Sequence, residues 1–322
     1  MKGIVPEKTG LVDFVYQVVT ERHHSEADIL RSIQEGEEEM IRNGIVAAGD
    51  ICNNVLTLTQ KQKGNLHYYN FIEASGWLPG VSVARFERAK DLFESFTSSA
   101  GERLHNSIVP HAPYSVSENL WKSIQPFFEN RTVSMHNQET AFEDEFFLSG
   151  TGDFQRMYSL MKIDNSHHRP TKKSSLQSNF SHLIDAANII LVHNTFTKQE
   201  DIDHIRSLTT HGITPDVFFC CCPNANLYIE NQLPPIDLLR KNHCSIVLGT
   251  DSLASNHQLD ILEEIQTIRK HFNVPDEELL TWATSNGAKA LQMNEKLGSF
   301  EQGKEPGVLN IDEELRLIGK II

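Results

Sequence analysis

Seven apolar runs of strand length recur along the chain, and helical patterns separate several of them. The runs lie at 45–53, 67–76, 106–116, 131–139, 188–196, 216–226 and 245–255. Most are continuously apolar rather than alternating, which is typical of parallel strands buried on both faces. Helical patterns cover 117–129, 198–211, 235–242 and 256–271. This alternation predicts an α/β fold with a parallel sheet and right-handed crossovers.

A closed (β/α)8 TIM barrel needs eight strands, and the sequence supplies seven. The segments 11–20 and 27–42 are predicted to be helices, so we expect the first strand to be absent unless 3–5 is its stub. We expect the barrel to span 1–297. The remaining 298–322 is turn-rich with short apolar stretches, as a remnant of a small β-domain would be.

The longest interval between predicted strands is 140–187, and its middle is polar without clear periodicity. Long loops of this kind either serve a site or are disordered. We favour a lid or pocket wall, because the interval follows a strand that carries chemistry.

The composition narrows the classes of partner. A net charge of −14 argues against binding to nucleic acid or to an anionic membrane. No segment is long and apolar enough to span a bilayer. Five cysteines are present and three are adjacent, which makes a poor disulfide framework. We therefore expect a cytoplasmic protein.

Four predicted strands end in a metal-ligating or acid–base residue: His111, His136, His193 and Asp251. The carboxyl ends of the strands in a parallel barrel meet at one mouth, where active sites are built. A single histidine at a strand end is more often structural. Four such residues in register favour a functional site.

The segment from His136 to Glu139 is the most informative. A histidine can bind a metal through one ring nitrogen. A carboxylate three residues later can take a proton from activated water and return it to a leaving group. The alternative is a polar loop after a buried strand.

The chain resembles the amidohydrolase superfamily, and within it the branch of cytosine, guanine and adenosine-type deaminases. The resemblance rests on PHAPYSVS (110–117), SMHNQET (134–140), LVHNTF (191–196), CPNANLYIE (222–230) and LGTDSLASN (248–256). GSFEQGKEPG (298–307) is similar to the segment that leads these proteins into their small β-domain. The order of the motifs, rather than any one of them, makes the resemblance specific.

The resemblance implies a role for each residue. His136 would be a metal ligand, and Asp251 both a ligand and a general base. Glu139 would be the proton shuttle. His193 would hold the activated water or polarise the substrate, and His111 would face the substrate. A histidine where two-metal members carry a modified lysine implies one divalent metal, either zinc or iron.

The substrate implied is a small neutral base or a nucleoside-like molecule, since no phosphate clamp is evident. Tyr114 and Trp77 could stack on its ring, although packing at the barrel mouth explains them equally well. Open strand edges would also allow a homodimer.

One departure from the family is serious: no His-x-His pair, which supplies two further ligands in the family, occurs in the chain. The adjacent pairs at 23–24 and 167–168 do not replace it. We therefore expect a chain that begins downstream of that pair and binds zinc weakly. Two alternatives remain, namely another leaving group such as an amide or chloride, and a degenerate non-catalytic barrel.

Overall fold

Two parallel sheets form the centre of the computed structural model, which describes residues 1–21, 23–99, 101, 103–209 and 215–321. The first sheet has the order β1-β2-β3 and the second β4-β5-β6-β7. The strands are β1 (Ala47–Cys52), β2 (His67–Ala74), β3 (Leu104–Pro110), β4 (Thr132–Asn137), β5 (Asn188–His193), β6 (Asp216–Cys221) and β7 (Ser245–Leu248). All seven predicted strands are therefore confirmed.

Fourteen helices surround the sheets in the described part of the chain. They are α1 (Leu11–Thr20), α2 (Glu26–Arg42), α3 (Leu58–Lys61), α4 (Ser82–Ser98), α5 (Glu118–Ile124), α6 (Ala141–Ser149), α7 (Phe154–Leu160), α8 (Ser175–Asn179), α9 (Gln199–Thr209), α10 (Pro223–Ile229), α11 (Ile236–Lys241), α12 (Ile261–His271), α13 (Asp276–Ala283) and α14 (Ser285–Ala290). The last two residues of the helix predicted at 198–211 lie outside the described residues. The helix predicted from 256 begins five residues later.

The two sheets meet between β3 and β4, where no strand ladder joins them. Near the carboxyl ends, the backbone N–H of His136 donates to the carbonyl of His111 at 2.9 Å. At the other end, Arg131 Nη1 donates to the carbonyl of Asn106 at 2.6 Å. We call this junction the seam. It runs directly beneath two of the predicted site residues.

The two sheets end in β1 and β7. Among the described strands, β1 pairs with β2 alone and β7 with β6 alone. The absence of the first barrel strand stays a prediction. The segment 3–5 forms turns rather than a strand. On the β7 edge, the side chain of Asn286 donates to the carbonyl of Ile246 at 2.9 Å.

A buried lysine joins the outer face of the first sheet to α3. Lys61 is only 3% exposed, and its ammonium forms an ion pair with Asp50. It also donates to Asn70 Oδ1 at 2.7 Å and to Cys52 Sγ at 3.3 Å. Burial is the largest single effect and lowers the pKa of Lys61, but the charges of Asp50 and Cys52 and the hydrogen bonds to them together outweigh it, so the pKa is raised. The lysine is therefore charged inside the protein.

The interval 140–187 folds into α6, α7 and α8 rather than forming one long loop. Phe146, Phe154 and Tyr158 from this interval pack in a second apolar cluster with Leu11 and Phe14 of α1. The cluster lies on the side of the fold that carries the strand ends, since it also contains Ala112 and Tyr114. This agrees with a pocket wall.

The C-terminal tail forms an antiparallel hairpin of β8 (Leu309–Ile311) and β9 (Leu317–Lys320). Leu315 in its turn is buried in the main core. The division between a barrel at 1–297 and a small β-domain remnant at 298–322 stays a prediction. None of the helices in the described residues combines the length and the apolarity that crossing a membrane requires.

Candidate active site

Three histidines lie together at the carboxyl ends of β3, β4 and β5. His111 follows β3 directly, His136 is the penultimate residue of β4, and His193 ends β5. The ring centroids of His111 and His136 are 5.0 Å apart, and those of His136 and His193 are 5.2 Å apart. The structure thus brings three of the four predicted strand-end residues into one cluster.

His136, Glu139 and His193 form a group that fits a divalent metal. Nε2 of His193 lies 3.1 Å from Nδ1 of His136 and 3.6 Å from Oε1 of Glu139. One ligand atom from each residue lies within 4.8 Å of the other two. Two imidazole nitrogens and a carboxylate oxygen are a donor set that suits zinc or iron. The roles predicted for the three residues remain predictions.

Burial sets the protonation of this group. It lowers the pKa of His136 well below the ordinary value, and His111 and His193 add to the effect. It also lowers the pKa of His193, partly against the charge of Asp251. Neutral imidazole is the form that binds metal. Burial raises the pKa of Glu139 well above its ordinary value, with repulsion from Asp251 next in size. A carboxyl group with a raised pKa is suited to proton transfer near neutral pH.

Asp251 lies in the loop after β7 and accepts a hydrogen bond from the hydroxyl of Ser255. Its charge raises the pKa of Glu139 and opposes the lowering of the pKa of His193. The metal-ligand groups found among the described residues do not include Asp251. Its role as a ligand and general base therefore stays a prediction.

Three of the strand-end loops carry backbone strain. Gln138, His193, Asn194 and Asp251 have φ angles of 45°, 78°, 57° and 54°. Residues other than glycine rarely adopt this left-handed region, and such strain clusters at functional sites. The loops after β4, β5 and β7 are the ones that hold the predicted site residues.

Comparison with known proteins decides the family. The model of the amidohydrolase family matches residues 25–312. The chain belongs to the amidohydrolase family. It is 24% identical over 279 residues to an adenosine deaminase of Helicobacter pylori, which covers 85% of this chain and 65% of that relative. The chain thus spans less than two thirds of the length of this amidohydrolase relative.

Solved structures share the amidohydrolase fold. The aminofutalosine deaminase of Helicobacter pylori superposes with a TM-score of 0.75 at 22% identity, covering 89% of this chain and 71% of that one. An adenosine deaminase from Xanthomonas campestris with bound zinc gives 0.71 at 19% identity, covering 97% and 68%. At these identities the likeness establishes the fold, which agrees with the predicted barrel.

Glu143 holds the loop after β4, which carries Glu139, through hydrogen bonds. This fully buried carboxylate on α6 accepts the backbone N–H of Gln138 at 3.0 Å and that of Glu139 at 3.3 Å. The hydroxyl of Ser175 donates to it at 2.6 Å. Burial raises the pKa of Glu143 to about 8, although these donors lower it. The loop after β4 is therefore held in place by a side chain from the next helix.

Glu264 supports the loop of Asp251 in a similar way. It accepts the backbone N–H of Asn224 at 2.9 Å and the side-chain amide of Asn256 at 2.8 Å. The same amide of Asn256 donates to the carbonyl of Thr250 at 2.8 Å. Burial raises the pKa of Glu264 to about 7.

The segment CPNAN brings Asn226 under His193. The side-chain nitrogen of Asn226 lies 2.6 Å from the hydroxyl of Thr195 and 3.4 Å from Nδ1 of His193. As assigned, the amide donates to Nδ1, so that Nε2 carries the proton and faces His136.

The two predicted stacking residues lie in the packed wall. Tyr114 is 4% exposed, and its ring centroid lies 4.0 Å from that of Phe154. Trp77 stacks on Tyr158 at 5.8 Å, and its Nε1 donates to Asn165 Oδ1 at 2.7 Å. These contacts agree with the packing alternative, while contact with substrate stays a prediction for both residues.

Glu73 is a residue of the mouth that the sequence analysis did not single out. It lies near the end of β2, and a ligand atom from each of Glu73, His111 and His136 lies within 4.8 Å of the others. The available signal was a charged side chain inside the apolar run of β2. A polar side chain near the end of an apolar strand is the same signal that identified the three histidines.

Proposed function

We propose that this protein hydrolyses an aminated, nucleoside-like ring at the carbon that bears the amino group, releasing ammonia. The observation that carries the proposal is the group of half-buried His136 with buried Glu139 and His193 at the strand ends of an amidohydrolase fold. Relatives named as adenosine and aminofutalosine deaminases support the choice of leaving group.

Zinc is the metal we propose, with iron as the alternative, and His136 and Asp251 as its ligands. When bound, the metal supplies a Lewis acid that makes water nucleophilic at neutral pH. The zinc-bound relative from Xanthomonas supports this choice. Because burial lowers the pKa of His136, its imidazole is neutral and can bind the metal without first losing a proton.

The residues then divide the proton transfers. Glu139 carries one proton from the attacking water to the ring nitrogen beside the reacting carbon, which takes up the electron pair of the C=N bond. Asp251 accepts the second proton of the water and returns it to the departing amine, which leaves as ammonia. His193 donates a hydrogen bond to the oxygen that remains on the ring carbon. His111 contacts the substrate from β3. Burial of Glu139 and His193 excludes bulk water from these transfers.

We also propose a cytoplasmic location and a small-molecule substrate. All five cysteines are free, and Cys221 and Cys222 are buried. Unpaired thiols in this number suit a reducing compartment. Association into a homodimer through the open strand edges stays a prediction, to be tested by sedimentation.

Two variants separate the proposed roles. Glu139→Gln keeps the shape of the side chain but cannot carry a proton, so turnover should fall by about 10²–10⁴-fold while bound zinc stays constant. Asp251→Ala should lose bound zinc as well as turnover. The assays are ammonia release from adenosine and from aminofutalosine, and zinc content by mass spectrometry.

Either of two results would contradict the proposal. If the wild-type protein holds zinc yet releases no ammonia, the leaving group is misassigned, and chloride or an amide becomes the next candidate. If Glu139→Gln loses its zinc, Glu139 is a ligand rather than a proton carrier.

A further inference from the structure

Two cysteine thiols meet at the carboxyl end of β6. Cys220 and Cys222 are separated by one residue, and alternate residues of a strand share a face. A β-carbon added to Gly249 would lie 2.9 Å from Sγ of Cys220 and 3.1 Å from Sγ of Cys222. The two sulfur atoms are therefore at most 6.0 Å apart, which is the sum of those distances. Cys221, between the two, belongs to the opposite face.

A hydrogen bond joins the two thiols. This bond to Cys220 contributes most to raising the pKa of Cys222, burial comes next, and repulsion from Cys220, Asp251 and Glu264 adds to both. Cys222 is 1% exposed, whereas Cys220 is only partly buried. The thiolate is the reactive form of cysteine, so Cys222 is a poor first nucleophile. An oxidant from solvent therefore meets Cys220 first.

The backbone allows the two sulfur atoms to form a bond. Two residues of an extended strand advance about 6.6 Å between Cα atoms, and disulfides join Cα atoms about 4.4–6.8 Å apart. The S–S bond is about 2.05 Å long, so the sulfur atoms must approach each other by at most about 4 Å. Rotation about the two Cα–Cβ bonds provides this movement. All five cysteines are free in this structure, which therefore shows the reduced form.

The pair lies where β6 passes into α10. The backbone N–H of Asn226, in the first turn of α10, donates to the carbonyl of Cys222 at 2.9 Å. The side-chain amide of Asn226 lies 3.4 Å from Nδ1 of His193. Drawing the sulfur of Cys222 towards Cys220 would therefore shift the first turn of α10 and move Asn226 relative to His193.

We propose that Cys220 and Cys222 form a reversible disulfide when hydrogen peroxide reaches them. The sulfur of Cys220 attacks one peroxide oxygen: an S–O bond forms, the O–O bond breaks, and the second oxygen leaves as water with the thiol proton. The sulfur of Cys222 then attacks this sulfenic acid, so the S–S bond forms, the S–O bond breaks, and the oxygen leaves as water with the proton of Cys222. The two thiols lose two electrons, which the peroxide gains. Exchange with an external thiol reverses the reaction.

The test counts thiols in the full 322-residue chain. Reduced protein is treated with hydrogen peroxide, unfolded and alkylated, and mass spectrometry of the intact chain counts the alkyl groups. We expect two fewer alkyl groups than in untreated protein, no added oxygen, and full recovery after dithiothreitol. Five alkylated thiols after peroxide, or oxygen added at Cys220 without a disulfide, would overturn the proposal.

Variants identify the two partners. Cys220→Ser should keep all its remaining thiols after peroxide, and Cys222→Ser should form no disulfide and carry added oxygen at Cys220. The controls Cys221→Ala and Cys244→Ser should each lose two thiols, as the wild type does. Loss of two thiols in Cys220→Ser would show that other cysteines pair and would overturn the assignment. Cys220→Ala replaces Cys220→Ser if urea unfolding shows that the serine variant does not fold.

The effect of the disulfide on turnover rests on the proposed deamination. Peroxide should slow ammonia release by about 5-fold or more, which is the equivalent of one lost hydrogen bond, and dithiothreitol should restore it. Cys244→Ser should respond in the same way, and Cys220→Ser should not respond. Unchanged turnover in protein that carries the disulfide would overturn the link to Asn226. An inactive wild type that forms the disulfide refutes the activity alone, and an active one that keeps all five thiols refutes the disulfide alone.

Discussion

The ion pair between buried Lys61 and partly exposed Asp50 gives a quantitative test of how the first sheet is held to α3. Lys61→Met preserves length and removes the charge. It leaves the buried Asn70 Oδ1 without the donor that lies 2.7 Å away, which costs about 1–3 kcal/mol. The side chain of Asp50 is 37% exposed, so water can solvate the carboxylate after Lys61 is replaced, and losing its partner adds little to the loss of stability. We expect a total loss of about 2–3 kcal/mol in the free energy of unfolding.

Asp50→Asn should cost more, about 3–5 kcal/mol, because it leaves an uncompensated ammonium in the interior. The double variant removes both charges, so its cost should be smaller than the sum by about 1–3 kcal/mol. Urea unfolding with a constant slope measures all three. The exposed pair Lys90 and Glu94 on α4 is the control, and Lys90→Met should change stability by less than about 0.5 kcal/mol. Additive effects of the two buried substitutions would refute the reasoning.

Further predictions concern the carboxylates beneath the mouth. Glu143→Ala removes the acceptor of two backbone N–H groups and one hydroxyl, so the free energy of unfolding should fall by about 3 kcal/mol or more, and zinc should bind more weakly. The control is Glu145→Ala, at an exposed position of the same helix. Equal losses of unfolding free energy in the two variants, measured by urea unfolding, would contradict the prediction. Glu264 has a folded pKa of about 7 against 4.5 when exposed, so the folded state binds more protons between these values. The stability advantage of wild type over Glu264→Gln should therefore decline as pH rises from 4.5 to 7. Urea unfolding of both proteins across this pH range measures it, and an advantage that grows with pH would contradict the prediction.

The strands and the three histidines could be predicted because their signals are local. A continuous apolar run followed by His193 contains both the strand and its end. The interval 140–187 was harder: its helices are short, and they are stabilised by Phe146 and Phe154 packing against α1, more than a hundred residues away in sequence. Tertiary packing of this kind supplies most of the stability of short helices.

The carboxylates show a different limit of sequence analysis. Glu143 and Glu264 lie on helices, where a charged residue normally faces solvent, yet both are fully buried. Their partners are backbone groups of loops that lie elsewhere in the sequence or adopt strained conformations. Glu73 could have been recognised from its apolar strand, whereas its approach to His136 required the register of β2, β3 and β4.

The seam between the two sheets is a place where the mouth can open. The backbone bond between His136 and His111 is its hydrogen bond closest to the site. If the sheets separate there, this amide exchanges with deuterated solvent while amides inside the ladders of β5 stay protected. The same separation moves the two imidazoles apart. Exchange of the His136 amide therefore reports how often the mouth loses its shape, and a ligand that spans the two rings should slow it.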